Sequence, residues 1–295
     1  MSDFRLKVFQ SVAKNLSFTK ASQELFVSQP AITKHIQELE ATYQTRLFDR
    51  QGSKISLTES GRLLLEHCER ILEDYKRLEY EMHLLHNEYI GELKLGASTT
   101  IAQYVLPPLL GSFIGKFPQV NLSLLNGNFR EIEAALQEHR IDLGLVEGVF
   151  RLPNLKYTTF LEDELVAVVH SKSRLQLPEE ITPQDLPAIP LVLRERGSGT
   201  LDVIERSLQK HGVKLSSLHV LMYLGSTESI KLFLENSDCM GIVSIRSICK
   251  ELAAGTFRVV EIKDMPMLRD FCFVQLQGQE GGLSQAFMNY MFMSR

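Results

Sequence analysis

The chain has 295 residues, of which 44% are hydrophobic and 23% charged, and its formal net charge is -4. This composition is that of a folded protein of two or three domains, so a collagen-like or largely disordered chain is excluded. The net negative charge argues against nucleic-acid binding, because binding to phosphates needs cations. The charge is unevenly distributed, however: residues 1–62 hold nine Lys and Arg against six Asp and Glu, a balance of +3, and the remainder carries -7.

Three short helices are predicted at the N-terminus. Apolar residues recur at helical spacing over residues 3–14. The hydroxyl of Thr19 is placed to cap a second helix that ends near Leu25, because it can accept an orphan backbone N–H. Ser28 is placed to cap a third helix that runs to about Tyr43, with Pro30 in its first turn, where a missing N–H costs nothing.

The outward face of the third predicted helix is polar. It carries Gln29, Thr33, Lys34 and Gln37, whose side chains suit base edges and phosphates in a major groove. The alternative is an ordinary solvent-exposed helix face. Two helices joined by a tight turn, with the second polar on its outer face, favour a helix-turn-helix that reads DNA.

A β-hairpin is predicted directly after the third helix. Two short alternating runs, residues 47–50 and 55–58, flank a turn that contains Gly52. Arg50 and Lys54 would lie near the tip of this hairpin, where cations can contact phosphate or enter a minor groove. The segment therefore predicts a wing beside the helix-turn-helix.

Many positions of this segment match one known pattern in order and spacing. They are Ala21, Leu25, Ser28-Gln29-Pro30-Ala31, Ile36, Leu39-Glu40, Leu47-Phe48 with Arg50, and Leu57-Thr58 with Gly61. The segment resembles the winged helix of LysR-type transcriptional regulators. Two departures are Thr33, where the family often has Ser, and Tyr43-Gln44 in place of the usual Leu-Gly.

The resemblance implies binding to double-stranded promoter DNA. The residues expected to contact it are Thr19, Ser28, Gln29, Pro30, Thr33, Lys34, Gln37, Arg50 and Lys54.

A long helix is predicted over residues 58–89, a stretch with no Pro and with Gly61 as its only glycine. Apolar residues recur in it at alternating spacings of three and four, which is a heptad pattern. These residues are Leu64, Cys68, Ile71, Tyr75, Leu78, Met82, Leu85 and Tyr89. The alternative is packing against the same chain, but such a stripe favours a coiled coil between subunits, so we expect a homodimer or homotetramer.

Short strands and helices alternate after residue 90. Strands are predicted at 92–97, 120–126 and 142–147, with helices at 102–117 and 130–138. A second set has strands at 165–169, 191–193, 218–223, 241–244 and 269–276, and helices at 200–211, 227–235 and 283–292. Such alternation predicts a parallel α/β sheet.

In the family that the chain resembles, two α/β lobes are joined by two crossover strands and enclose an effector, as in periplasmic binding proteins. The expected fold is therefore α/β, with an N-terminal winged helix-turn-helix, a long linker helix and a two-lobed, periplasmic-binding-protein-like effector domain. The expected bounds are 1–62, 58–89 and 90–295. Lobe I comprises about 90–162 and 270–295, and lobe II about 163–269. The crossovers are expected near 160–166 and 262–273.

Three predicted loops carry hydroxyl groups at the carboxyl ends of strands, where helix N-termini offer free N–H groups. This arrangement favours a small anion such as a carboxylate, sulfate or phosphate. Capping of the helices by the same hydroxyls is the alternative. The residues expected to bind the effector are Ser98, Thr99, Thr100, Glu147, Ser198, Gly199, Thr200 and Thr227. Arg194 and Arg196 could add positive charge.

An enzyme, or a small-molecule receptor with an appended DNA-binding-like domain, is the alternative function. The chain has no G-x-S-x-G, H-E-x-x-H, Walker A or G-x-G-x-x-G sequence, so no catalytic residue and no cofactor is expected. Its four cysteines do not have the sequence spacing of a zinc site or of a disulfide framework, so we expect buried thiols and no bound metal. The uncharged stretch 95–115 contains polar residues and Pro107-Pro108, so it is not expected to span a membrane. A cytoplasmic location is expected.

Overall fold

The computed structural model describes residues 4–51, 54–84, 89–147, 151–278 and 281–293. The chain forms two compact units, residues 1–88 and 89–295.

The first unit begins with the three predicted helices, α1 (Phe4–Asn15), α2 (Phe18–Glu24) and α3 (Gln29–Tyr43). Ser28 caps α3 as predicted, because its hydroxyl accepts the N–H of Ala31 at 3.4 Å. The predicted cap of α2 is wrong. Ser17 is the residue in extended conformation before that helix, and its hydroxyl accepts the Lys20 N–H, so Thr19 lies inside the first turn.

The predicted wing is a two-stranded antiparallel hairpin of β1 (Phe48–Gln51) and β2 (Lys54–Leu57). It is anchored to the helices by an apolar core in which the Phe9 and Phe48 rings lie 5.5 Å apart. Glu40 fixes the approach to β1 by accepting the N–H of Leu47 at 2.8 Å. That carboxylate is structural.

The long helix α4 (Glu59–Leu84) begins where the wing ends. Gly61 is required there, because a Cβ atom would lie 2.1 Å from the carbonyl oxygen of Leu47. Cys68 is fully buried against the first unit and donates to the Leu6 carbonyl at 3.3 Å, so this heptad position packs on its own chain.

Several later heptad positions of α4 are exposed in the single chain, and the last predicted one lies outside the helix. Ile71, Leu78 and Met82 are 40%, 52% and 53% exposed, so they form an uncovered apolar stripe. Leu85 lies outside the described residues. Tyr89 is not in the helix; its ring lies 4.5 Å from that of Phe117 in the second unit, because the chain has already entered that unit's core.

Lobe I opens with the predicted alternation. Its elements are β3 (Gly91–Ser98), a π-helical turn (Ile101–Val105), α5 (Leu106–Lys116), β4 (Val120–Gly127), α6 (Phe129–Gln137) and β5 (Leu143–Glu147). β3 pairs in parallel with β4 and β5. The π-helical turn was not predicted.

The chain then crosses into lobe II along β6 (Leu155–His170). The elements of lobe II are β7 (Glu180–Ile181), β8 (Leu191–Arg194), α7 (Gly199–Lys210), β9 (Val220–Leu224), α8 (Thr227–Glu235), β10 (Met240–Ser244), α9 (Cys249–Ala253) and β11 (Phe257–Ile262). It returns along β12 (Met267–Leu276) and ends with α10 (Gly282–Met293).

The prediction of a purely parallel sheet is wrong. β6 and β12 run antiparallel to each other, because β6 passes from lobe I into lobe II and β12 returns. β12 is also antiparallel to β5 in lobe I, and β6 is antiparallel to β10 in lobe II. The second predicted crossover also begins too early. Residues 257–262 form β11, a separate strand that pairs with β6, and the crossing itself starts at Met267.

Three of the four thiols are buried, as expected. Cys68, Cys239 and Cys272 are buried, and burial raises the pKa of Cys68 to about 12, but Cys249 is exposed, against expectation. It lies on the short helix α9, whose residues are all at least partly exposed. Within the described ranges no group of His, Cys, Asp or Glu could hold a metal ion, and none of the helices combines the length and apolar character that crossing a membrane requires.

A buried guanidinium joins the two lobes where β6 and β12 cross. Arg269 on β12 donates from Nε to Oδ2 of Asp163 on β6 at 2.8 Å, and its Nη2 lies 2.7 Å from the same oxygen. Its Nη1 donates to the Thr200 hydroxyl at 2.9 Å and lies 3.5 Å from Oε1 of Glu147. Ser98 of lobe I donates to the other oxygen of Glu147.

We expect Arg269→Met to destabilise the chain by about 3–5 kcal/mol, because two buried carboxylates then lose the cation that balances them. Arg246→Met is the control. Arg246 lies 3.6 Å from Asp163 but is 40% exposed, so its loss should cost about 1 kcal/mol or less. Urea denaturation of both variants gives the comparison, and equal costs would refute the assignment of Arg269 as the central cation.

The end of α3 supplies a second test. Gln44, one of the departures from the family pattern, has φ +51°, a left-handed conformation that favours glycine. Gln44→Gly relieves about 1–2 kcal/mol of strain and adds unfolded-state entropy, so we expect a net gain of about 0.5–1 kcal/mol. Thr45→Gly, outside the left-handed region, should destabilise; a loss of thermal stability in Gln44→Gly would contradict the prediction.

Candidate DNA interface and effector cleft

The residues predicted to contact DNA gather at the start and outer side of α3. Gln29, Pro30, Lys34 and Gln37 are exposed, and Thr33 is half-buried. The opposite side of the same helix is buried through Ile32, Ile36 and Leu39. The apolar side packs α3 into the core of the first unit, and the polar side faces outward, where it could contact a groove of DNA.

Two hydroxyl groups orient this face. Thr19 on α2 donates to Oε1 of Gln29 at 3.3 Å, which ties α2 to the first turn of α3. Thr33 donates back to the Gln29 carbonyl at 3.1 Å, a bond that fixes its rotamer. Arg50 and Lys54 occupy opposite strands of the wing, but their side chains lie outside the described part of the chain.

The residues predicted to bind an effector divide into a buried group and a cleft. Ser98, Glu147 and Thr200 belong to the Arg269 network at the lobe junction. Two others pack against that junction: Ser198 caps α7 through the Leu201 N–H, and a Cβ atom on Gly199 would lie 2.1 Å from the Glu147 carbonyl oxygen. These residues hold the lobes together.

Thr100 and Thr227 are buried as well. The Thr100 hydroxyl has no hydrogen-bond partner within the described structure. Thr227 is the first residue of α8, whose cap is the neighbouring Ser226 through the N–H of Ser229 at 3.2 Å.

A cleft of about 370 Å³ lies between the lobes. It is lined from lobe I by Thr99, Gln103, Asn126, Gly127, Asn128 and Glu131, and from lobe II by Glu195, Gly225 and Ser226. Of the eight predicted effector residues, Thr99 alone is part of this lining.

Two helices begin at the cleft. Asn128 caps α6 by accepting the N–H of Glu131, and Ser226 caps α8. The positive ends of two helix dipoles therefore lie on one cavity, an arrangement that favours negative charge. The carboxylate of Glu131 is already bound, because its Oε2 accepts the Asn128 N–H at 2.7 Å.

Sequence reasoning missed Gln103, which lines this cleft, and left Arg194 undecided, which lies directly behind the lining. The Oε1 atom of Gln103 is buried and has no hydrogen-bond partner among the described residues. Gln103 lies in the unpredicted π-helical turn, a local irregularity that is frequent at functional sites. The Arg194 side chain is 2% exposed, and it donates to the Thr99 hydroxyl and to the Gly225 carbonyl.

A second contact between the lobes lies next to the cleft. Tyr104, also in the π-helical turn, donates to Oε1 of Glu228 on α8, and burial together with this bond raises the pKa of Tyr104. Lys231 lies 2.9 Å from Glu228 and 2.6 Å from Glu251. Burial alone would lower the pKa of Lys231, but these two carboxylates outweigh burial and raise it. No sequence motif marks this contact.

Family models match both units. Residues 4–62 match the model described as a bacterial regulatory helix-turn-helix protein of the lysR family, and residues 86–292 match the LysR substrate binding domain. A probable RuBisCO transcriptional regulator of Cyanidioschyzon merolae is 32% identical over 268 residues, which cover 90% of this chain and 88% of that protein.

Solved structures of LysR-type regulators are similar to this chain as well. The regulatory domain of CcmR from Synechocystis, in complex with 2-PG, is 28% identical with a TM-score of 0.63, covering 69% of this chain and 97% of that one. Full-length CbnR complexed with its target DNA is 23% identical with a TM-score of 0.62 over 100% of both chains, and shows a common fold. The chain therefore belongs to the LysR family of transcriptional regulators, and it is a DNA-binding regulator rather than an enzyme.

Proposed function

We propose that this regulator reads promoter DNA through the outer side of α3 and the wing, and that a small anionic metabolite bound between the lobes controls it. The observation that carries the second part is the cleft itself. Two helix N-termini, the Thr99 hydroxyl and the amide groups of Asn126 and Asn128 surround one cavity between the lobes. Such groups bind oxyanions without a metal.

The relatives support both parts of this proposal. The CcmR regulatory domain is in complex with 2-PG, and CbnR is complexed with its target DNA. The unpartnered Gln103 Oε1 adds an acceptor to the cleft, which fits a ligand that also carries a hydroxyl or a protonated acid group.

We also propose that the protein acts as a homodimer or homotetramer in the cytoplasm, where promoter DNA lies. The exposed stripe of Ile71, Leu78 and Met82 on α4 supports pairing with a second copy through a coiled coil. Two copies would place two α3 helices on one face of DNA, which favours an interrupted palindrome as the target.

For the DNA interface, we expect Gln37→Ala to weaken binding to the promoter DNA beside the protein's own gene by about 1–3 kcal/mol and to relax its sequence preference. Lys34→Ala should weaken binding to all sequences alike, because a phosphate contact carries no sequence information. Lys7→Ala, an exposed lysine on α1, is the control. Gel-shift titrations measure all three, and wild-type affinity in both α3 variants would refute the assignment.

For the effector, we expect millimolar 2-PG, inorganic phosphate or acetate to raise the melting temperature of the full chain more than acetamide or glycerol do. Binding at 100 times the dissociation constant stabilises by about 2.7 kcal/mol. Thr99→Val should reduce the shift, whereas Thr256→Val, away from the cleft, should preserve it. Stabilisation by the neutral compounds alone would contradict the anionic class.

A further inference from the structure

We propose that Arg194 binds the acidic group of the effector and that Glu195 occupies its guanidinium until the effector displaces it. The inference rests on the proposed function, because it assumes that the cleft accepts an anion. It adds the residue that recognises the acid and an internal carboxylate that competes with it.

Arg194 is buried directly behind the lining of the cleft, in contact with the lining residues Thr99, Glu195 and Gly225, and it cannot remain there without a counter-charge. Its side chain is 2% exposed, and its Nη2 donates to Oγ1 of Thr99 at 3.4 Å and to the Gly225 carbonyl at 3.3 Å. Thr99 comes from lobe I and Gly225 from lobe II, so the guanidinium bridges the two sides of the cavity. Neither neighbour is charged, and an isolated buried cation is costly.

Glu195 supplies the counter-charge. Its Oε2 accepts from Nε of Arg194 at 2.8 Å and its Oε1 from Nη2 at 3.0 Å, a two-pronged pair. Adjacent residues of a strand point to opposite faces. β8 ends at Arg194, however, and Glu195 lies beyond it, so its side chain can turn back towards its neighbour.

The pair is asymmetric in its exposure, and this asymmetry favours exchange. The Glu195 side chain is 27% exposed and lines the cleft, so it can be hydrated after it leaves the guanidinium. Its backbone is held separately, by the bond from its N–H to the Leu224 carbonyl at 3.2 Å and by the Ser198 N–H, which donates to its carbonyl at 3.2 Å. Arg194 is 2% exposed in this pair, so when Glu195 leaves, the guanidinium needs another oxyanion in that place.

The chemistry defines the ligand class. A carboxylate or a phosphate presents two oxygens to the planar guanidinium fork, as the Glu195 carboxylate does, whereas an amide or an alcohol cannot balance its charge. Glu131, the other carboxylate of the cleft, is held by the backbone N–H of Asn128. Its carboxylate is therefore not available to compete for the Arg194 guanidinium.

The test measures dissociation constants of 2-PG and inorganic phosphate for the full chain by isothermal titration calorimetry. Glu195→Gln should bind both acids about tenfold more tightly, because the competing charge is gone, and tenfold corresponds to about 1.4 kcal/mol. Arg194→Gln should bind them at least about 30-fold more weakly. Arg196→Gln and Glu235→Gln, which change exposed residues outside the lining of the cleft, should stay within about twofold of wild type.

The outcomes separate this inference from the proposed function. Tighter binding in Glu195→Gln, including binding of an acid that wild type does not bind measurably, supports the inference even if Arg194→Gln does not fold. Wild-type binding that Glu195→Gln leaves unchanged or weakens overturns the inference and leaves the effector proposal intact. Absence of acid binding in wild type and in Glu195→Gln alike overturns both.

Discussion

The buried ion network around Arg269 is the interaction on which the second unit depends. Its guanidinium lies on one crossing strand, its main partner Asp163 on the other, and Thr200 and Glu147 reach it from the two lobes. Asp163 is also bound by the Ser244 hydroxyl at 2.7 Å. A charge this deeply buried tolerates few arrangements, so the network fixes how the two crossing strands and the loops of both lobes meet.

The cleft beside this junction is built differently. Its lining ranges from buried Thr99 to exposed Asn126, and the Glu195 carboxylate is bound by the neighbouring Arg194. Among the described residues, none bonds to the amide oxygen of Gln103. At the junction, Glu147, Asp163 and Thr200 are all bound to Arg269 or to neighbouring hydroxyls, whereas the cleft keeps groups that a ligand could bind. This contrast explains why hydroxyls such as Ser98 and Thr200, which belong to the junction, are less suited to an exchangeable ligand than Thr99.

Local features of the fold could be predicted from the sequence, and long-range ones could not. The cap by Ser28, the α3 face and the alternation of strands and helices follow from residues within one or two turns of each other. The places of Glu147 at a strand end and Thr200 at a helix start predict two effector ligands, but their partner Arg269 is 69 residues from Thr200. Likewise, no local pattern joins Tyr104 to Glu228, 124 residues apart, or distinguishes Cys249 from the buried thiols.

The measurement that tests the central claim most directly is the thermodynamic coupling between acid and DNA on the full-length protein. If an acid in the cleft controls DNA binding, the dissociation constant for promoter DNA changes by about fivefold or more when the acid is saturating. The dissociation constant of the acid must then change by the same factor when DNA is saturating. An acid that binds the full chain but leaves its affinity for promoter DNA unchanged would contradict the account.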